Sequence, residues 1–160
     1  MFETQLDGTY AWLGLAVVSI ATAGVVAALP ASPPPDADGV AHTIDSVAGG
    51  EYVATADHGL SADRLRITPR TVALGNDGTV ARATLAEGPI TPVPSQAESS
   101  DDRLRRVLDG ASPETVFDDP NALATAAERE RTAEHGWRDA PDRITVTRVR
   151  YGGVYVTLVG

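Results

Sequence analysis

Hydrophobic and polar positions change period along this chain, and each period predicts an element. Ala11 to Leu29 reads AWLGLAVVSIATAGVVAAL, 19 residues without a charge. At ~1.5 Å per residue such a helix spans roughly 28 Å, close to the hydrocarbon core of a bilayer. Tyr10 and Trp12 sit at one end, where amphipathic rings favour the membrane interface. Pro30 and the run Pro33-Pro34-Pro35 stop the helix at the other. The pattern divides the chain into a short N-terminal tail (1–10), a transmembrane helix (11–29), a Pro-rich stem (30–38) and a folded domain (39–160).

Beyond the stem the periods shorten. Asp36 or Asp38 is placed to cap a helix whose apolar stripe is Val40, Ile44 and Val47, and which stops at Gly49-Gly50 or runs on to about Thr55. Arg64 to Thr68 alternates like a half-buried strand. Thr71 to Leu74 and Thr79 to Leu85 flank Gly75-Asn76-Asp77-Gly78, and Asp-Gly between such runs predicts a hairpin. Three prolines predict an extended loop over Glu87 to Pro94. Ser100 or Asp101 is placed to cap a helix that buries Leu104, Val107 and Leu108 and ends at Gly110. Ser112-Pro113 opens a short turn through Phe117. Asp119-Pro120 opens a helix to about Glu134, with Leu123, Ala126 and Ala127 inward and Glu128 to Arg131 facing water. Two β-rich runs around Tyr151-Gly152-Gly153 predict a closing hairpin. The fold class expected is α+β: an N-terminal transmembrane helix, then a small antiparallel sheet of about five strands with helices on one face.

The apolar run has two competing readings, a retained anchor and a cleaved secretory signal. A signal calls for a basic n-region and a small-x-small cleavage site. Residues 1–10 hold Glu3 and Asp7 and no basic residue, and Ala28-Leu29-Pro30-Ala31 is a poor cleavage site. The expectation is a retained, single-pass helix whose partner through residues 11–29 is the lipid bilayer. The first Arg is Arg64, so the positive-inside rule has little to count. A short tail followed by the bulk of the chain fits a C-terminal domain on the extracellular side of the cell membrane. Ser19, Ala23 and Ala27 recur at four-residue spacing, as do Gly24 and Ala28. Such rows let helix backbones approach closely, and they also arise by chance in an Ala-rich anchor.

Charge narrows the function classes. All 13 basic residues are Arg, against 22 Asp and Glu, for a net charge of −9. A negative surface disfavours nucleic acid, and no nucleic-acid partner is expected. Absence of Lys with abundant Asp fits salt-loving archaea, where a Debye length of about 3 Å screens like-charge repulsion. Codon bias in a GC-rich genome gives the same Arg-for-Lys pattern. Without Cys there is no disulfide, thiolate metal site or thiol nucleophile.

No catalytic motif is present: no Gly-rich phosphate loop with Lys, no G-x-S-x-G, no H-E-x-x-H. His42 and Asp45 lie one helical turn apart, but two ligands on one helix do not make a zinc site. Glu51 and His58 have no defined spacing, and His42, His58 and His135 read as solvated surface. Asp36-Ala37-Asp38-Gly39 resembles part of a calcium loop without its terminal Glu, and a helix cap is the better reading. Arg103, Arg105 and Arg106 lie among Asp101, Asp102 and Asp109, a mixed-charge solvated helix face. Trp137, Tyr151 and Tyr155 can gather near the last hairpin, with core packing favoured over a ligand platform. No catalytic, cofactor-binding or metal residue is assigned, and no enzyme is expected.

The acidic tail starting Met1-Phe2-Glu3, the apolar run ending Ala-Leu-Pro, the PPPDA stem and the ending Gly-Val-Tyr-Val-Thr-Leu-Val-Gly together resemble an uncharacterised family of small haloarchaeal membrane proteins. That resemblance implies association with type IV pilus or secretion systems, and a minor pilin-like or accessory envelope role. Residues 1–8 lack the basic segment of a pilin leader, and the Pro-rich stem interrupts the helix that pilins extend into the head. The alternative is a membrane-tethered binding or sensor domain unrelated to pili.

Overall fold

The computed structural model describes residues 35–94 and 102–160. The tail, the apolar run, the row Ser19, Ala23 and Ala27, and the stem as far as Pro34 lie outside these residues, as do Ser100 and Asp101. Among the described residues no helix is long and apolar enough to cross a membrane.

The order is α1 (Ala37–Ala48), β1 (Ala54–Gly59), β2 (Arg64–Ile67), β3 (Thr71–Asn76), β4 (Thr79–Thr84), β5 (Thr91–Pro92), α2 (Arg103–Leu108), α3 (Pro113–Val116), α4 (Pro120–Thr132), β6 (Arg138–Asp139), β7 (Arg143–Tyr151) and β8 (Val154–Val159). The fold is α+β, with eight strands in two four-stranded sheets rather than one sheet of about five. The first sheet runs β1-β7-β8-β5 and the second β4-β3-β2-β6. Pairing is antiparallel except for β5 beside β8, which is parallel.

Local chemistry sets the elements. Asp36 caps α1, its carboxylate accepting from the Gly39 amide at 2.8 Å. The helix therefore begins inside the stretch assigned to the stem. It ends at Ala48, and by Ala54 the chain is already strand, so the continuation to Thr55 is overturned. Asp102, not Ser100 or Asp101, is the residue at the cap position of α2, and its side chain makes no cap bond. At the far end Gly110 takes φ +104. Its amide donates to Val107 and that of Ala111 to Arg106, the paired bonds that close a helix through a left-handed glycine. Asp119 caps α4 through the Ala122 amide at 2.9 Å, with Pro120 at the first helical position. Of the four residues of α4 expected to face water, Glu128 and Arg129 are exposed, while Glu130 and Arg131 are half-buried.

The expected loop over Glu87 to Pro94 carries β5 in its middle. Pro92 is tolerated there because β5 is an edge strand. The Val93 amide continues the pairing by donating to the Val159 carbonyl at 2.8 Å.

Helices cover both faces of the first sheet, not one. Along β7 and β8 alternate residues point to opposite sides. Ile144, Val146 and Val159 join α1 and the inner face of the second sheet in one apolar cluster. Val149, Val156 and Leu158 join Leu104, Val107, Phe117 and Leu123 of the α2–α4 region in another. The first sheet is thus the partition between two cores.

Candidate functional site

One face of the first sheet has an end that neither core covers. The β7–β8 register places Arg148 opposite Thr157 and Arg150 opposite Tyr155 on that face, and β1 adds Ala54 opposite Arg148. Both arginines stack on the Tyr155 ring, with guanidinium carbons 5.2 Å (Arg148) and 5.6 Å (Arg150) from its centroid. Such stacks hold the cations by the ring quadrupole and fix their forks in place. Tyr155 stays 45% exposed. Tyr52 and Val53, just ahead of edge strand β1, are 79% and 58% exposed. Large aromatic and Arg side chains held rigid on an open surface are the residue types that dominate protein interfaces.

A cavity of about 230 Å³ is lined by residues that include Ile67, Val93, Pro94, Glu130, His135 and Trp137. Arg105 shapes its wall by donating to the Pro94 carbonyl at 2.6 Å and to the Val93 carbonyl at 3.4 Å. The Nε2 atom of His135 is buried without a hydrogen-bond partner. The described lining residues include Glu130, Glu134 and His135 but no hydroxyl or thiol.

The residues singled out from the sequence are scattered. Trp137, Tyr151 and Tyr155 do not form one patch. Trp137 stacks with Arg64, whose guanidinium carbon is 5.5 Å from the ring centroid. Tyr151 is half-buried against the α2–α4 core and its hydroxyl donates to the Asp118 carbonyl at 3.4 Å. Asp45 does not serve His42: its carboxylate accepts from the Ala86 and Glu87 amides, at 3.1 and 3.0 Å. His58 is not a free surface imidazole. Its Nδ1 lies 2.8 Å from the Thr43 hydroxyl. The same hydroxyl lies 3.0 Å from the Gly39 carbonyl, so Thr43 links the imidazole to the first turn of α1. The Arg103, Arg105 and Arg106 face is likewise divided: Arg103 stacks over Phe117, Arg105 bonds to β5-proximal carbonyls, and only Arg106 is exposed. No three of His, Asp and Glu among the described residues are grouped to hold a metal ion.

The Arg148–Tyr155–Arg150 arrangement was within reach of the sequence. A two-residue Gly-Gly turn fixes Tyr151 opposite Val154, and every later pair follows. Arg148 and Arg150 then fall on one face with Tyr155. The His135 cavity carried no such signal, because its walls come from three separated stretches of chain.

The chain matches no curated protein and no solved structure. A family model does match residues 3–149, and the chain belongs to that family, the family of unknown function DUF7283.

Proposed function

We propose that this chain is a non-enzymatic, single-pass membrane protein of the cell envelope, an accessory component of a type IV pilus-like or secretion-like assembly in a salt-adapted cell. Residues 11–29 hold it in the bilayer, with the domain on the extracellular side. The observation that carries the reading is the Arg148–Tyr155–Arg150 stack, in which Tyr155 and Arg150 are exposed, together with exposed Tyr52 and Val53, residue types suited to a protein partner. An accessory subunit is favoured over a polymerised one because Pro30 and Pro33 to Pro35 interrupt any helix running from the apolar stretch into the domain.

Two measurements test this. A chain lacking residues 1–35 is expected in the soluble fraction while the full-length protein sediments with membranes; equal partitioning would end the anchored reading. Photo-crosslinkers at Tyr155 and at Ala23 of the full-length protein are expected to capture pilus-type or secretion-type membrane components. Tyr155→Ala and Arg150→Ala should reduce capture at the domain. Clean recovery of other partners would refute the assembly role.

The second reading, a tethered binding or sensor domain, draws support from the cavity beside His135. A small solute that shifts the His135 resonances while Tyr155→Ala leaves partner capture unchanged would favour it.

A further inference from the structure

The second sheet buries its inner face against α1, and among the described residues no helix or strand covers its outer face. The registers order that face in rows. Arg66 stands opposite Ala73, and Ala73 opposite Arg82. In the next row Arg64 stands opposite Gly75, and Gly75 opposite Val80. Asp139 of β6 flanks Arg64. Between these rows the central strand offers a methyl group and a glycine on this side, with Thr71 beyond them opposite Thr84. Ala73, between Arg66 and Arg82 in the register, is just 5% exposed. Trp137 closes one end: a Cβ placed on Gly75 would sit 3.6 Å from its ring. The result is a shallow trough along β3, walled by Arg64 and Arg66 on one side and by Arg82 and the 41%-exposed Val80 on the other.

Three exposed guanidinium groups on one sheet face run against the trend of a chain with net charge −9. None of Arg64, Arg66 and Arg82 is ion-paired with a described carboxylate, and Asp139 offsets only part of their charge. Arg66 and Arg82 lie two strand spacings apart, about 10 Å, across Ala73. Arg64 and Arg66 are two residues apart on one strand, about 6.8 Å, which is also the spacing of alternate side chains in any extended peptide. Guanidinium forks match carboxylates in a bidentate, directional way, and such contact pairs outlast the screening that removes longer-range attraction. A polyanion of high charge density would meet the repulsion of the whole molecule, whereas a short acidic segment meets mainly the trough.

We propose that the outer face of the β4-β3-β2-β6 sheet docks an extended acidic segment of a partner protein, with alternate Asp or Glu side chains facing the sheet and pairing with Arg64, Arg66 and Arg82. The surface is distinct from the Arg148–Tyr155–Arg150 stack, and the inference stands whether or not the assembly role does.

The test uses full-length protein in uncharged detergent micelles and a fluorescein-labelled decapeptide alternating Glu and Thr. Anisotropy is expected to report saturable binding, weakened roughly tenfold or more by Arg66→Glu with Arg82→Glu. The milder pair Arg66→Gln and Arg82→Gln should weaken it less, and serves if the charge reversal unfolds the domain by circular dichroism. Arg129→Glu on exposed α4, an equal change per residue in net charge, should leave binding unchanged. In a Trp12→Phe background the Trp137 emission should shift on saturation. The proposal is overturned if either trough pair binds like the parent, or if Arg129→Glu weakens binding as much as one trough substitution. It is equally overturned if Trp137 is silent at saturation, or if a single-stranded oligonucleotide or phosphatidylglycerol vesicles bind more tightly than the peptide. Self-association that both trough pairs abolish and the peptide cannot compete away would assign the face to a second copy instead.

Discussion

At the scale of single residues, the closing hairpin makes the sharpest demand. Gly152 and Gly153 take φ +52 and +87, as a two-residue turn between right-twisted strands requires. The two are not equivalent. A Cβ on Gly152 would lie 2.4 Å from Cγ of Pro120, the first residue of α4, whereas one on Gly153 meets nothing within 4 Å. Gly153→Ala should therefore cost about 1–2 kcal/mol from the left-handed backbone alone. Gly152→Ala should cost more, since α4 must also shift. Thermal unfolding of the two full-length variants checks the order, and equal losses would refute it. A second residue-scale expectation concerns Glu114. The Ser112 hydroxyl donates to its carboxylate, with help from its own backbone, and together they hold its pKa below the ordinary value of 4.5. A depressed carboxylate stabilises the fold above the unfolded pKa, and that contribution is lost as pH falls through the folded one. Ser112→Ala should move the Glu114 midpoint up toward 4.5 in an NMR titration. An unmoved midpoint would show that the hydroxyl is not the cause.

At the scale of elements, α1 is held by its side chains as well as by its apolar face. Asp45 ties it to the two amides that follow β4. Asp45→Ala leaves those amides without their acceptor, and a loss of roughly 1–3 kcal/mol is expected, less if water replaces it. Chemical denaturation of the full-length protein tests this, and no loss would mean that water already serves the amides equally well. The same helix shows what a sequence discloses. Val40, Ile44 and Val47 were legible because the period and the Asp36 cap are both local. The two hairpins were legible because a turn fixes its own strands. β1, β5 and β6 were not. β1 reads ATADHG, without an apolar alternation, and exists because β7, far along the chain, pairs with it. β5 and β6 are two residues each, recruited by β8 and β2. The outer face of the second sheet was hidden for the same reason: Arg66 and Arg82 become neighbours only through β3.

At the scale of the whole molecule, the first sheet's role as a partition predicts cooperative unfolding. Ile144 on β7 and Leu158 on β8 are fully buried in different clusters, yet both belong to the first sheet. Ile144→Ala and Leu158→Ala should each cost about 2–5 kcal/mol. Each should lower a single transition seen alike by far-ultraviolet dichroism and by Trp137 fluorescence. Two separated transitions would mean that the cores melt independently.

Net charge sets the last expectation. With 22 acidic groups against 13 arginines, self-repulsion works against the compact state. The Debye length falls from about 10 Å at 0.1 M salt to about 3 Å at 1 M. At the lower figure only contact pairs still interact strongly. The melting temperature of the full-length protein should therefore rise with NaCl over that range. Excluded-solute effects also strengthen burial, so sucrose matched for osmolality is the control. Screening predicts a rise in NaCl well beyond the rise in sucrose. It also predicts that a variant with several exposed Asp changed to Asn loses most of its salt dependence. A melting temperature that ignores NaCl, or that follows sucrose equally, would trace the Arg-only composition to codon usage rather than to adaptation of the folded surface to salt.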